Sequence, residues 1–361
     1  MQWCCLAANL QIHPADLSNL MHNLPRAYGQ VAVQGLFKQR PEDFRVTEQL
    51  GFTCSGEGEH LWVRIQKIAL NTVEVADRLA RAAGVSNREV SYSGLKDRQG
   101  VCSQWFSIHN AALRPEQLRI CENDNLRIME VVRNGRKLRR GAHKGNSFYI
   151  RIRQLSGSEY RQNLLNRLML IQQGGVPNYF GEQRFGYDNL NKATALFEGK
   201  VGRISRHQRG LLLSSARSAL FNVLLANRVE TGTWNSRLSG DVFNLEGTAS
   251  VFADEQNDPK IDDRLAELDI HPTGPMWGAG ELKTQGEAKA LEEDLLAHWP
   301  IYCQGLQRLG LKQERRSLRL AVKSLHYCFC ADDSLELSFN LPTGTYATAV
   351  LHELLGYQTQ K

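Results

Sequence analysis

The spacing of hydrophobic and polar positions changes several times along the chain, and each change marks an element. In DFRVTEQL (43–50) and HLWVRIQ (60–66), β-prone residues partly alternate over short runs, as strands with one buried face do. From 71 to 83 the period becomes helical, with Val73, Ala76, Leu79, Ala80 and Ala83 on one face. Asn71 or Thr72 can cap its start, and Gly84 stands where a left-handed C-terminal cap belongs. Three further strands are predicted at EVSYS (89–93), SQWFSIH (103–109) and SFYIRIRQL (147–155). The last puts Phe148, Ile150 and Ile152 on one face and Tyr149, Arg151 and Arg153 on the other. An arginine-bearing sheet face is compatible with RNA.

The middle of the chain has a different character. Residues 160–173, 205–229 and 283–312 carry helical periodicity, separated by Gly/Pro-containing loops such as GGVPNYFGEQRFG (174–186). Strand character returns at 317–341, and a short helix is predicted at 347–355. Strands interrupted by a helical middle predict an α+β protein with a second domain inserted into the first. Residues 1–23 read as a loosely specified extension, because patterned sequence begins at Leu24-Pro25-Arg26, and Met21 is a candidate alternative start.

Composition narrows the class. The 361 residues are 42% hydrophobic and 23% charged, as in soluble globular proteins. No run approaches the roughly 18–20 apolar residues of a membrane span. The start, MQWCCLAANL, lacks the basic segment of a secretory signal, so a cytoplasmic location is expected. The eight cysteines (Cys4, Cys5, Cys54, Cys102, Cys121, Cys303, Cys328 and Cys330) form no C-x-x-C pairs, so reduced thiols are expected and a zinc site is not. The net charge of +6 is a mild bias, but its distribution is more telling. Arg133, Arg136, Lys137, Arg139, Arg140 and Lys144 lie together with no acid among them. Such a run is either a solvated loop or a phosphate-binding strip.

The densest cluster of reactive types is YSGLKDRQGVCSQWFSI, 92–108, in which a strand leads into a turn holding Lys96, Asp97, Arg98 and Gly100. An Asp in such a turn is ordinary. The chemical reading is a carboxylate kept ionised by neighbouring cations.

These residues resemble the central motif of the TruD family of tRNA pseudouridine synthases. Five further segments agree with that family in order: RPEDFRVTEQL with GEGEHLWVRIQK (40–67), LRRGAHKGNSFYIRIR (138–153), GVPNYFGEQRFG (175–186), LLSSARSALFN (212–222) and LPTGTYATAVLHELL (341–355). The resemblance runs from about Leu24 to Leu355. It implies a catalytic domain at residues 24–174 and 320–361, built on the antiparallel sheet of pseudouridine synthases. An α+β domain would be inserted at 175–319, with a basic cleft between the two for tRNA. It implies conversion of uridine to pseudouridine, usually at position 13 of the D arm, without cofactor or metal, by a protein that needs no second copy.

The reaction itself sets requirements. The bond from ribose C1′ to uracil N1 breaks and C1′ rejoins C5, so an ionised carboxylate must act beside the ribose. The uridine must also be flipped out, at a cost of a few kcal/mol that stacking offsets. By resemblance Asp97 is that carboxylate, and Phe44, Asn146, Phe148 and Tyr346 contact substrate. Lys38 matches a basic residue that could pair with Asp97. Each keeps a plainer alternative: the two phenylalanines as core, Asn146 as a turn residue. Two rival functions remain, a non-catalytic RNA-binding protein on the same scaffold and a glycosidic hydrolase. The latter usually needs a second carboxylate, for which Asp97 shows no obvious partner.

Overall fold

A computed structural model describes residues 14–254 and 258–359. The first thirteen residues of the predicted extension, with Cys4 and Cys5, lie outside the described residues. The chain divides into two compact units. One comprises Val31–Asn166, Val322–Ala347 and Leu354–Lys361; the other Met1–Gln30, Arg167–Ala321 and Thr348–Glu353.

The first unit is built on a ten-stranded sheet. Its early strands are β1 (Gln34–Phe37), β2 (Phe44–Gln49), β3 (His60–Lys67), β4 (Val90–Tyr92), β5 (Val101–His109), β6 (Leu126–Asn134) and β7 (Gly145–Ser156). The main path runs from Lys323–Phe329 through Leu335–Pro342, β7, β2, β5 and β3 to β6. All its pairings are antiparallel except β2 with β5, while off the path β1 pairs in parallel with Gly356–Thr359.

Register explains where the site forms. Lys67 pairs with Cys102, Cys102 with Val46, Val46 with Phe148 and Phe148 with Phe339, so these five share one face. Over β3 and β5 that face is covered by the helix Thr72–Ala83, with Val63, Ile65, Val75, Leu79 and Phe106 in one apolar cluster. Across β2 and β7 the same face carries Glu48 and Asn146, which are directly paired.

The helix is rotated slightly from its expected register. Val75 is buried, whereas Val73 is 50% exposed, because Val75 and Leu79 rather than Val73 complete the inward stripe with Ala76, Ala80 and Ala83. Gly84 takes the left-handed cap at φ +65. Asn71 is at the N-cap position without capping through its side chain, and the Thr72 hydroxyl is committed elsewhere. The arginine face of β7 also differs from expectation. Arg151 pairs with Asp332 and Glu336, and Arg153 grips Asp43 with both Nε and Nη2, so carboxylates of the same unit, one on a strand and two in the turns beside it, consume these charges.

The second unit holds a four-stranded sheet, in the order Val251–Ala253, Val242–Leu245, Ile270–Met276 and Glu314–Ser317. Helices pack around it, the longest of those described being Arg206–Glu230, whose N-cap Ser205 accepts from Gln208 N at 3.1 Å. Within the segment read as an extension, Pro14–His22 is an α-helix. Its Leu17, Leu20 and Met21 are buried, and it packs on Asn189–Phe197 and Arg206–Glu230. The i, i+3, i+4 spacing of these three apolar residues was visible in the sequence. Among the described residues no helix is long and apolar enough to cross a membrane.

Candidate active site

Asp97 sits in the connection between β4 and β5, and the groups around it come from four strands and a helix end, all in the first unit. The turn is pinned at nearly every residue. Gln104 Nε2 donates to Gly94 O, Thr72 Oγ1 accepts from Lys96 N at 3.0 Å, and Lys67 Nζ donates to Asp97 O at 2.6 Å. Gly100 closes it: a Cβ there would meet Phe44 O at 2.5 Å, so only glycine lets the turn lie against β2. The Asp97 side chain is 20% exposed, enough to be reached from solvent.

The Asp97 carboxylate is held by two groups. Lys38 Nζ bonds Oδ2, and Gln99 N donates to Oδ1 at 2.9 Å. Burial by itself pushes the carboxyl up, but the Lys38 ammonium, the Gln99 N–H and the Lys67 charge outweigh it and hold the group below its ordinary value. Lys38 has a left-handed backbone (φ +58), which costs a non-glycine residue about 1–3 kcal/mol. It follows directly after β1, and its Nζ also lies 4.2 Å from the Phe44 ring centroid.

A second charged group lies beneath. Lys96 Nζ is 3.0 Å from Glu48 Oε2 and donates to Asn146 Oδ1 at 2.7 Å. Both charged side chains are almost wholly buried. The Asn146 oxygen is therefore engaged, which leaves its Nδ2 to donate to a carbonyl oxygen such as those of uracil. Sequence reasoning offered both halves of the amide; the structure commits one of them.

Phe44 and Phe148 lie side by side, ring centroids 6.1 Å apart, with Phe148 stacked on Phe339 at 5.5 Å. Both are more than nine-tenths buried, so most of each ring packs into the sheet face that carries the site. Tyr346 is half-buried in the turn after the strand Leu335–Pro342, whose Leu341 pairs with Asn146. Thr343 in the same turn donates through Oγ1 to His143 O at 2.6 Å, which ties the segment to the start of β7. The structure thus sets Lys38 against both Asp97 and Phe44, links Asn146 to the turn through Lys96, and places Phe148 beside Phe44.

Lys67, Lys96, Glu48, Thr72 and Gln104 were not singled out as site residues in the sequence, though four of them lie in or beside the quoted motifs. A signal existed for Lys67: it continues the inward positions of β3, where a lysine needs a reason. Burial lowers its pKa, opposed by Cys102 and Asp97.

The comparisons with known proteins agree with one another. The sequence profile of TruD, described as tRNA pseudouridine synthase D, matches residues 26–200 and 188–354. The tRNA pseudouridine synthase D of Methylococcus capsulatus is 45% identical over 94% of this chain and 96% of its own length. That of Hydrogenovibrio crunogenus is 43% identical over 91% and 94%. Among solved structures, one from Methanosarcina mazei assigned to tRNA pseudouridine synthase D (TruD) superposes with a TM-score of 0.71 at 21% identity, covering 92% of this chain and 95% of that one. That likeness carries the fold, and the sequence matches carry the rest: the chain belongs to the TruD family of tRNA pseudouridine synthases.

Proposed function

We propose that this chain isomerises a uridine of tRNA to pseudouridine, at position 13 of the D arm, with Asp97 as the catalytic carboxylate. The observation that carries the reading is the Asp97 carboxylate itself. It is ionised by Lys38, fixed by Gln99, still reachable from solvent, and surrounded by groups suited to a flat polar base. Acting at C1′ or C2′, an ionised oxygen of this kind begins glycosidic cleavage. Asn146 Nδ2 would hold a uracil oxygen while the base turns, and Phe44, Phe148 and Tyr346 would border the base and its neighbours. Lys38 is a positioning residue, acting through Asp97. Uracil is both leaving group and returning nucleophile, so no cofactor or metal enters the scheme.

In the same reading residues 24–174 and 320–361 form the catalytic domain, and 175–319 the insertion. The tRNA substrate is proposed on the strength of the family, as is action in the cytoplasm as a monomer. Incubation of unmodified tRNA transcripts with the protein, followed by digestion to nucleosides and chromatographic separation of pseudouridine from uridine, tests the proposal. Carbodiimide adducts should halt primer extension one nucleotide 3′ of position 13. Stops elsewhere would refute the position, and no stop on any tRNA would leave an RNA-binding protein on an enzyme scaffold.

A further inference from the structure

A cavity of about 510 Å³ opens beside the catalytic turn and is used by nothing described above. Its size is in the range of small-molecule sites, and one nucleotide fits it. Val73, Val90 and Leu138 give it an apolar floor. Tyr92 forms a wall, with the Arg140 guanidinium 6.0 Å from the ring centroid. Lys137, Arg139 and Arg140 complete the rim.

The charges of that rim differ from those elsewhere in the molecule. Arg151, Arg153, Arg228 and Arg315 each meet a carboxylate of the protein. Among the described residues none lies within 4.0 Å of Lys137, Arg139 or Arg140. Arg133, at the start of the same basic run, is different again, since it donates to the backbone oxygens of Asn110, Ala111 and Leu113. Lys137 Nζ likewise donates to Arg88 O at 3.2 Å, so the charge left without such a bond is that of Arg139 and Arg140. The run is therefore part structural and part unspent charge. The carboxylate lining the cavity, Asp77, already accepts from Asn87 Nδ2 at 2.7 Å.

The cavity is also fastened to the chemistry. Tyr92 ends β4, pairs with Phe106 of β5 and packs its ring on that residue. Five residues later comes Asp97, so the two Cα atoms are at most about 18 Å apart. Gly141 N donates to Ser93 O at 2.7 Å, which ties the basic loop to the first residue of the catalytic turn. Nucleotides next to a uridine held at Asp97 are within reach of this cavity.

We propose that the cavity is a subsite for an unpaired RNA nucleotide flanking the target uridine, its base against Tyr92 and the apolar floor and its phosphate on Arg139 and Arg140. The inference rests on Asp97 being the reacting centre. Stacking is tolerant of base identity, so the subsite selects an extruded nucleotide rather than a particular base. It would hold the strand open on one side of the flipped uridine.

The test uses the whole protein with tRNA transcripts, comparing the parent with Tyr92→Phe, Tyr92→Ala and the double variant Arg139→Ala/Arg140→Ala. Loss of one stacked base corresponds to about a 5- to 150-fold rise in KM, so Tyr92→Ala should show it with kcat within about twofold, and Tyr92→Phe should not. The double variant, exposed and safe to fold, should raise KM and flatten the salt dependence by roughly one unit of log–log slope. Transcripts carrying 4-thiouridine beside the target should crosslink to the peptide containing Tyr92, a readout that needs no turnover. Unchanged KM in both Tyr92→Ala and the double variant, or crosslinks only to other peptides, would overturn the subsite. So would competition by millimolar uridine 5′-monophosphate that depends on Tyr92 while KM for tRNA does not, since the cavity would then serve a free nucleotide. An inactive parent with the Tyr92 crosslink intact would instead defeat the reading of the reaction.

Discussion

Asp97 shows how much a single carboxylate owes to its neighbours. Burial disfavours its charge, and Lys38 restores it, at the expense of a left-handed backbone at Lys38. The sign of the pH dependence follows. A carboxyl depressed in the folded state lends stability above its unfolded value of about 3.9, and loses it as pH falls through the lower folded value. In the proposed reaction the ionised carboxylate is the active form, and it persists to acid pH. Replacing Lys38 by Met removes the largest opposing charge and leaves burial less opposed, so the acid limb of the kcat–pH profile should move to higher pH. An acid limb that stays in place would show that Lys38 does not set the ionisation of Asp97.

At the scale of elements, the site depends on backbones that approach closely. Gly100 lets the catalytic turn lie against Phe44, and a Cβ there collides with a main-chain oxygen that cannot step aside. Gly100→Ala should cost about 1–3 kcal/mol, as overpacking does, read as a lower urea midpoint with an unchanged slope. The helix Pro14–His22 is a separate case, since it belongs to the other unit and is held by buried side chains. Leu17 is fully buried, so Leu17→Ala should destabilise by about 2–5 kcal/mol, and a chain begun at Met21 would lose Leu17 and Leu20 together. A truncated chain as stable as the full one would show that this helix adds nothing to the unit it packs on.

How much was legible in the sequence also depends on the element. Strands β2, β3 and β7 were read from their alternation, β5 was read without it because it is covered on both faces, and the helix at 72–83 came from its period and its terminal glycine. Strand β6 was missed: its burial pattern, with only Leu126 and Asn134 deeply covered, gives no alternation to find. Asp97 and Asn146 were named through motifs, not through any property of the residues alone. The Glu48–Lys96 pair was invisible because it joins residues 48 apart in sequence, through a sheet register that spacing does not encode. The fate of Arg151 and Arg153 was misjudged for the same reason, as their carboxylate partners come from distant segments.

At the scale of the whole molecule, a net charge of +6 is small, and what matters is where charge remains unspent. Much of the arginine is consumed internally, while Arg139 and Arg140 meet no carboxylate among the described residues. Affinity for tRNA should accordingly fall as salt rises, with a log–log slope of about −0.7 to −0.9 for each phosphate contacted. A filter-binding series in potassium chloride measures it, and an affinity independent of salt would contradict an electrostatic interface.

The central claim is that Asp97 performs chemistry on a uracil ring. Isomerisation displaces the hydrogen at uracil C5, so tritium release from C5-labelled tRNA transcripts reports it directly. The parent should release tritium in proportion to the modified uridine, and Asp97→Asn should release none while still binding tRNA. Release by the Asp97→Asn protein at a rate near the parent's would contradict the account.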